Sequence, residues 1–328
     1  MNYTTDEFEK DWQTFCKKIK ELKQEFVDRN DVINTIACGF ISKTNILLIG
    51  SPGTAKSLMI KRFAQKLGIK GNDFFEYLLT KYTEPSEIFG PPNIKKLTDH
   101  GDYIFDAWKG KLQHARIAFL DEVFNANSAI LNALLMIINE KRFIMGDTHE
   151  KLDHLLAVFG ASNHPPDDPD LLAFFDRFPI RFFVESSNNS YKDLILKSLE
   201  FEKKNESKSF SNNEQDGIIN ITGFVEKVNE TIIDSLKKFL NSSDVMEHFN
   251  QFIKHTRDEY NVSDLYISDR SLKPIAKMII AYAMTQKQIL DIEAKDFTND
   301  HCNFILEKTW NKDQEQINEI QRLLKSIS

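Results

Sequence analysis

The chain's 328 residues are 41% hydrophobic and 28% charged, ordinary values for a globular protein of about two domains. Its net charge of −7 excludes a basic field for bulk nucleic-acid binding, and its 3 widely spaced cysteines exclude a disulfide framework or a cysteine-based metal site. The net charge therefore leads us to expect no direct nucleic-acid contact. Because no apolar run could span a membrane and the first residues are polar and acidic, we also expect a cytoplasmic protein without a membrane span.

The first forty residues carry a helical pattern. Over residues 6–42, apolar side chains recur every three or four positions, as at Phe8, Trp12 and Phe15. We therefore expect helical structure before the first strand.

Five short apolar segments alternate with helical patterns and predict strands. They are residues 45–49, 74–79, 116–120, 155–161 and 180–184. Segments that are mostly apolar are typical of strands buried on both faces. The pattern predicts an α/β fold with a five-stranded, largely parallel sheet flanked by helices.

The composition changes after the last of these segments. Residues 185–190 are polar and typical of a linker, and residues 206–216 read as a polar loop. Helical patterns cover residues 191–205, 221–240, 243–258, 271–288 and 303–326. We expect an α/β domain over residues 1–187 and a small all-α domain over residues 188–328.

A phosphate-binding loop follows the first predicted strand. Its residues are Gly50, Ser51, Pro52, Gly53, Thr54, Ala55, Lys56 and Ser57. Small residues let backbone amides surround phosphate oxygens, Lys56 can reach the β- and γ-phosphates, and the Ser57 hydroxyl can ligate Mg²⁺. The common pattern has a glycine in place of Ala55, and we expect this position to need only a small side chain.

Polar side chains also end the third and fourth predicted strands. Asp121 and Glu122 follow the apolar run 117–120, at the sheet edge where ligands bind in doubly wound folds. We expect Asp121 to hold Mg²⁺ together with Ser57, and Glu122 to activate the attacking water as a general base. Asn163 follows the fourth strand, where it could orient the same water.

Two arginines are candidates for stabilising the charge that develops on the γ-phosphate. Arg177 stands at a predicted helix end before the last strand, and Arg270 begins a helix of the all-α domain. A guanidinium at the γ-phosphate contributes roughly 10³–10⁵ in rate. Spacing alone is equally compatible with surface or salt-bridged arginines. His149 and His154 lie one residue too far apart for a zinc-protease helix motif, so we expect a hairpin there.

As a set, these segments resemble the AAA+ ATPases, and within them the MoxR family, most closely its RavA-like branch. The most specific match is residues 79–91, with further similarity at residues 119–124 and 138–143. The resemblance extends over about residues 25–290 and includes the Asp-Arg-Phe and Ser-Asp-Arg triplets that contain Arg177 and Arg270.

The resemblance implies an AAA+ P-loop NTPase core with an α-helical lid, assembled into a homo-oligomeric ring, usually a hexamer, with ATP and Mg²⁺ between subunits. The residues it assigns to the ATP of their own subunit are Lys56, Ser57, Asp121, Glu122 and Asn163. Arg177 resembles the arginine finger that reaches a neighbour's γ-phosphate. Arg270 resembles the lid's second sensor, and the sequence leaves open whether it acts on its own or a neighbouring site.

The resemblance also implies a function on other proteins. Related motors remodel or help to mature a protein partner, often one with a von Willebrand factor A-like domain. Hairpins at residues 92–113 and 142–154 would line the ring's central face. The final helix, near residues 303–326, would close the lid or dock a partner.

Two alternatives stay open at this stage. One is a nucleotide-switched scaffold with little turnover, although a pure switch needs no water-activating base. The other is a motor subunit of a DNA-processing or restriction complex, using ATP or GTP. The sequence does not identify the client, the pathway, the preferred nucleotide or the number of subunits in the ring.

Overall fold

The computed structural model describes residues 4–102, 104–105, 109–166, 168–187, 192–197, 199–200, 218, 220–257, 267–310 and 314–327. Its strands are β1 (Ile46–Ile49), β2 (Phe74–Leu78), β3 (Ile117–Asp121), β4 (Arg142–Met145), β5 (Thr148–Lys151), β6 (Ala157–Ser162) and β7 (Ile180–Phe183). Its helices are α1 (Thr5–Glu25), α2 (Asn30–Ser42), α3 (Lys56–Lys66), α4 (Pro85–Phe89), α5 (Ile94–His100), α6 (Ser128–Glu140), α7 (Pro169–Phe175), α8 (Ile221–Leu240), α9 (Ser243–Arg257), α10 (Asp269–Lys287), α11 (Asn299–Leu306) and α12 (Gln314–Ser326).

The five predicted strands form one parallel sheet in the order β2-β3-β6-β1-β7. The central strands β1 and β6 are buried along their whole length, as a sheet covered on both faces requires. In this order β3, β6 and β1 are neighbours. The segments that follow them, which contain Asp121, Asn163 and the phosphate-binding loop, therefore meet at one edge of the sheet.

The helical pattern over residues 6–42 is divided into two helices. The apolar face of α1 is buried, and the chain then leaves the helical conformation at Phe26 and takes a left-handed one at Asp28 (φ 54°). Helix α2 is buried from Val32 onwards and packs against α8 and α10. The helices at the two ends of the chain therefore share one core.

The C-terminal region is helical, as predicted. Helices α8, α9 and α10 agree with their predicted ranges to within two residues, whereas the pattern over 303–326 comprises two helices, α11 and α12. Of the predicted linker, helix and loop between residues 185 and 216, the parts at residues 188–191, 198 and 201–216 lie outside the described residues.

The C-terminal segment also binds the outer edge of β7. The backbone N–H of Arg181 donates to the carbonyl of Lys308 at 2.7 Å, and its guanidinium Nη1 donates to the carbonyl of Trp310 at 2.7 Å. Arg181 is buried, and burial lowers its pKa to about 10. Because β7 is the last strand of the sheet, these bonds cover an edge that would otherwise be open.

One of the two predicted hairpins is confirmed and the other is wrong. Strands β4 and β5 pair antiparallel around Gly146 and Asp147. Residues 94–100 instead form α5, because the Asn93 side chain caps its first turn (Oδ1 to Lys96 N, 2.9 Å) and Gly101 ends it in the left-handed conformation. Among the described residues of this segment, Pro92 and Phe105 pair in one antiparallel bridge.

Within the described ranges, no helix is both long and apolar enough to cross a bilayer.

Candidate nucleotide-binding site

The phosphate-binding loop connects β1 to α3 and depends on its small residues. A Cβ added at Gly50 would lie 2.2 Å from the carbonyl oxygen of Val184, so this position requires glycine. Gly53 has a φ of 81°, which glycine adopts without strain. Ala55 also lies in the left-handed region (φ 65°, ψ 25°). The expectation that this position needs only a small side chain is therefore incomplete, since its backbone conformation is also one that favours glycine.

Lys56 is the first residue of α3, and its ammonium points into the loop. Nζ donates to the carbonyls of Gly50 at 2.5 Å and Ser51 at 3.3 Å, and to Oδ1 of Asn163 at 3.3 Å. The residue is 8% exposed. Burial lowers its pKa, while the charges of Asp121 and Glu122 act in the opposite direction. The ammonium is thus held in a confined place among acceptors that a phosphate oxygen could replace.

The Glu122 carboxylate contacts two amides. Oε1 accepts a hydrogen bond from Nδ2 of Asn163, and Oε2 accepts one from Nδ2 of Asn125 at 3.4 Å. The Glu122 N–H donates to Oδ1 of Asp121 at 3.0 Å. Asn163 therefore connects Glu122 to Lys56. Our sequence reasoning missed Asn125, although an amide three residues after the presumed base, in a turn, was a usable signal.

These residues fit a nucleoside triphosphate with Mg²⁺. A cation of this kind prefers oxygen ligands, which the Ser57 hydroxyl and the Asp121 carboxylate offer. A glycine-containing loop at the start of a helix supplies backbone N–H donors and a positive dipole end for phosphate oxygens. Lys56 adds a buried cation whose present partners are neutral oxygens.

A cavity of about 620 Å³ lies beside the loop. Its walls come from residues 28–32, from residues 181–187 and from five residues of the C-terminal segment: Glu307, Lys308, Trp310, Ile317 and Gln321. Val184 joins the two features, because it lines the cavity and its carbonyl abuts Gly50. The rings of Phe183 and Trp310 form part of this wall, with centroids 6.3 Å apart. A base and ribose could occupy this volume while the phosphates lie in the loop.

Arg177 and Arg270 come together, but at the opposite edge of the sheet. Both line a cavity of about 240 Å³ that also includes Thr44 and Asn45, which precede β1, whereas the phosphate-binding loop follows β1. A strand of four residues spans about 13 Å. Arg270 forms an ion pair with Asp176 (Nε to Oδ2, 3.5 Å), and the buried Nε of Arg177 has no hydrogen-bond partner.

The histidine pair does not form a metal site. His149 lies in β5, and Nε2 of His154 contacts the carbonyl of Gln113. Across the part of the chain that the structure describes, no group of three or more His, Cys, Asp or Glu side chains could hold a metal ion.

Fold and site together define a class, the P-loop nucleoside triphosphatases, by their parallel sheet, phosphate-binding loop and strand-end carboxylates. Comparison with known proteins gives the family. The family model described as the MoxR domain in the MoxR-vWA-beta-propeller ternary systems matches residues 13–222, well over half of the chain. The chain belongs to this MoxR family of AAA+ ATPases.

The chain is also similar to individual known proteins. An uncharacterised protein of Methanocaldococcus jannaschii is 34% identical over 264 residues, 80% of this chain and 63% of the relative. Chaperone MoxR1 of Mycobacterium tuberculosis is 28% identical over 133 residues, 40% of this chain and 33% of that protein. The chain thus spans less than two thirds of the length of either relative.

The fold has a counterpart among crystal structures. A presumed ATPase from Cytophaga hutchinsonii superimposes with a TM-score of 0.65 at 20% identity, covering 97% of this chain and 96% of that one. At this identity the likeness shows the shared fold alone.

Proposed function

We propose that the protein is a Mg²⁺-dependent ATPase whose subunits assemble into a homo-oligomeric ring, a hexamer as is usual in the family. The observation that carries this proposal is the connected set at one sheet edge. Asn163 contacts both Lys56 and Glu122, and the Asp121 carboxylate accepts the Glu122 N–H. A phosphate-binding cation, a metal-binding carboxylate and a general base are thereby within one hydrogen-bonded group.

Each residue has a distinct part in hydrolysis. Lys56 exchanges its contacts with loop carbonyls for contacts with the β- and γ-phosphates. Ser57 and Asp121 would hold Mg²⁺, which would supply positive charge to stabilise the phosphate oxygens. Glu122 takes a proton from the attacking water, and Asn163 orients that carboxylate. Asn125 is a second positioning residue for the same carboxylate.

The position of the two arginines supports a site shared between subunits. In one chain they lie at the amino end of β1, and the loop lies at its carboxyl end. Arg177 therefore acts on the γ-phosphate of a neighbour's ATP. Arg270, bound to Asp176 in the same cavity, acts on that neighbouring site as well. We therefore extend the proposal to Arg270 and assign it an action in trans, a choice that the sequence left open.

The finer expectations from the resemblance form part of the proposal. We assign residues 1–187 to the ATPase core and residues 188–328 to the lid, and we place the chain near the RavA-like branch. The function is chaperone-like remodelling or maturation of a protein partner. The family description, which names vWA-containing ternary systems, supports a partner with a von Willebrand factor A-like domain. A cytoplasmic location stays a prediction.

Subunit mixing tests the shared site. Lys56→Ala subunits lose phosphate binding, and Arg177→Ala subunits lose the finger, so each homogeneous preparation should lose at least about 10³-fold in ATPase rate. Mixtures should recover activity, since an intact loop then meets an intact finger. Arg142→Ala, at an exposed arginine in β4, is the matched control and should retain wild-type activity.

The same assay contains the outcomes that would contradict the proposal. No recovery in any mixing ratio would contradict the action of Arg177 in trans. A wild-type rate that is constant per subunit at every dilution, in a monomeric protein, would contradict the ring.

Two further experiments address the ligand and the partner. A competition assay between ATP and GTP decides the nucleotide, and a pull-down with Glu122→Gln protein held in ATP would identify the partner.

A further inference from the structure

The cavity lined by Arg177 and Arg270 is also lined by two lysines. Lys43, at the end of α2, and Lys277, in α10, also line it, and Asp176 is the only carboxylate on its described lining. Asp176 is already engaged by Arg270 and by the hydroxyl of Ser268, which donates to Oδ1 at 3.2 Å.

Two of the other cationic residues on the lining, Lys43 and Arg177, have a poorly satisfied group. Lys43 approaches Glu226 at 4.0 Å, the limit of an ion pair. The Nε of Arg177 is buried without a hydrogen-bond partner. The buried Nζ of Lys141, which does not line the cavity, has no partner either, and its charge interacts with those of Lys43 and Lys277. Buried donors that lack acceptors are costly, so a ligand rich in anionic oxygens would satisfy them.

The titration behaviour of the lysines agrees with this geometry. Burial, with the neighbouring charges of Lys273 and Lys43, lowers the pKa of Lys277 to about 8. Burial, with the charges of Lys43 and Lys277, lowers that of Lys141 to about 7. Both groups repel further positive charge and would be stabilised by an anion.

We infer that this cavity is a polyphosphate-binding site, in which Lys43 and Lys277 bind phosphate oxygens beside the two arginines. Its ligand is the phosphate chain of the nucleotide that a second copy of the protein holds in its loop. That the phosphates belong to a neighbour's nucleotide rests on the proposed function. That the cavity binds polyphosphate rests on the cavity alone. Each subunit would thus contribute four cations to its neighbour's ATP.

Binding of inorganic tripolyphosphate tests the chemistry without turnover. We would use the full-length Lys56→Ala protein, whose loop lacks its cation, and measure binding by calorimetry. Lys277→Gln and Lys43→Gln, added to this background, should each weaken binding by about tenfold or more, because each removes a charge-assisted contact. Lys273→Gln is the matched control, since Lys273 is exposed on the same helix and outside the cavity lining.

Equal binding by the control and the two cavity variants, with all of them folded by thermal melting, would overturn the inference. So would absence of tripolyphosphate binding by the Lys56→Ala protein. Because the substitutions remove repelling charges, we expect the variants to fold.

A second measurement identifies the source of the phosphate chain. Lys43→Gln/Lys277→Gln protein with an intact loop should lose at least about tenfold in ATPase rate and recover activity when mixed with Lys56→Ala subunits. Lost tripolyphosphate binding with unchanged ATPase would overturn the assignment to a neighbour's nucleotide. An inactive wild-type protein would contradict the proposed function and leave the tripolyphosphate result standing.

Discussion

The central sheet has a carboxyl edge, where its parallel strands end, and an amino edge, where they begin. The two edges differ in whether their charged groups find partners within one chain. At the carboxyl edge, Lys56, Asp121, Glu122 and Asn163 form a hydrogen-bonded group in which each charge has a partner from the same chain. At the amino edge, Arg177 and Lys141 have buried donor atoms without acceptors. The charged groups at the carboxyl edge are satisfied within the chain, whereas those at the amino edge include buried donors that are not.

This difference supports the proposal that a second subunit contacts the amino edge. A buried cation without a partner is unfavourable in an isolated chain, so a cavity rich in such cations is explained by an anion that another molecule brings. The proposed site between subunits has this division, in which one chain holds the nucleotide and the next supplies cations to its phosphates.

The largest expected effect is on the ATPase rate and comes from a substitution at the carboxyl edge. Glu122→Gln keeps the shape of the side chain but cannot accept a proton, so kcat should fall by about 10²–10⁴ while nucleotide affinity is retained. Steady-state ATPase and equilibrium nucleotide binding measure the two quantities. Glu140→Gln, at an exposed glutamate paired with Arg142, is the control.

Mixing this variant sharpens the comparison of the edges. Glu122 and Lys56 serve the same site of the same subunit, so Glu122→Gln and Lys56→Ala subunits should not rescue each other. Recovery of ATPase activity in such mixtures would mean that Glu122 and Lys56 act in different sites. It would contradict the assignment of both residues to the carboxyl edge of one subunit.

A smaller effect concerns how the buried lysine Lys141, at the amino edge, changes the stability of the protein with pH. With its pKa lowered to about 7 by burial and by Lys43 and Lys277, Lys141 binds fewer protons in the folded than in the unfolded chain between pH 7 and 10.5. The free energy of unfolding should therefore rise with pH in that window, by up to about 1.4 kcal/mol per pH unit.

Urea unfolding at several pH values tests this prediction. Lys141→Met should flatten the rise, and Lys70→Met, at an exposed position after helix α3, should leave it unchanged. An identical pH dependence in the wild type and Lys141→Met would mean that Lys141 is not a source of instability.

The smallest effect concerns the loop backbone. Ala55→Gly should relieve strain at a left-handed residue while making the unfolded chain more flexible, for a net gain below about 1 kcal/mol. Ala64→Gly, within helix α3, should instead destabilise by about 1 kcal/mol. Chemical denaturation of both variants gives the signs, and destabilisation by Ala55→Gly would contradict the strain argument.

Features fixed by local sequence were predictable. The strands of the sheet, the loop and the strand-end carboxylates follow from runs of a few residues, and the parallel order then brings Asp121 and Asn163 to the same edge. The single helix pattern over 6–42 hid a break at Asp28, because a left-handed residue leaves no periodicity signal. Helix α5 was missed because its Asn93 cap and Gly101 stop outweigh the apparent alternation.

The cationic cavity was not predictable in the same way. Lys43, Arg177 and Lys277 come from three distant parts of the chain, and each alone is an ordinary charged residue. Only their convergence, with the desolvation that it imposes, distinguishes them.

The bonds from Arg181 to the carbonyls of Lys308 and Trp310 have a consequence for how the protein can be cut. A fragment that stops at residue 187 would leave the backbone N–H of Arg181 without its partner on the outer edge of β7, and an open strand edge is a template for aggregation. Truncation before Lys308 should therefore yield insoluble material, and the ATPase core cannot be separated from the last helices without replacing that cover.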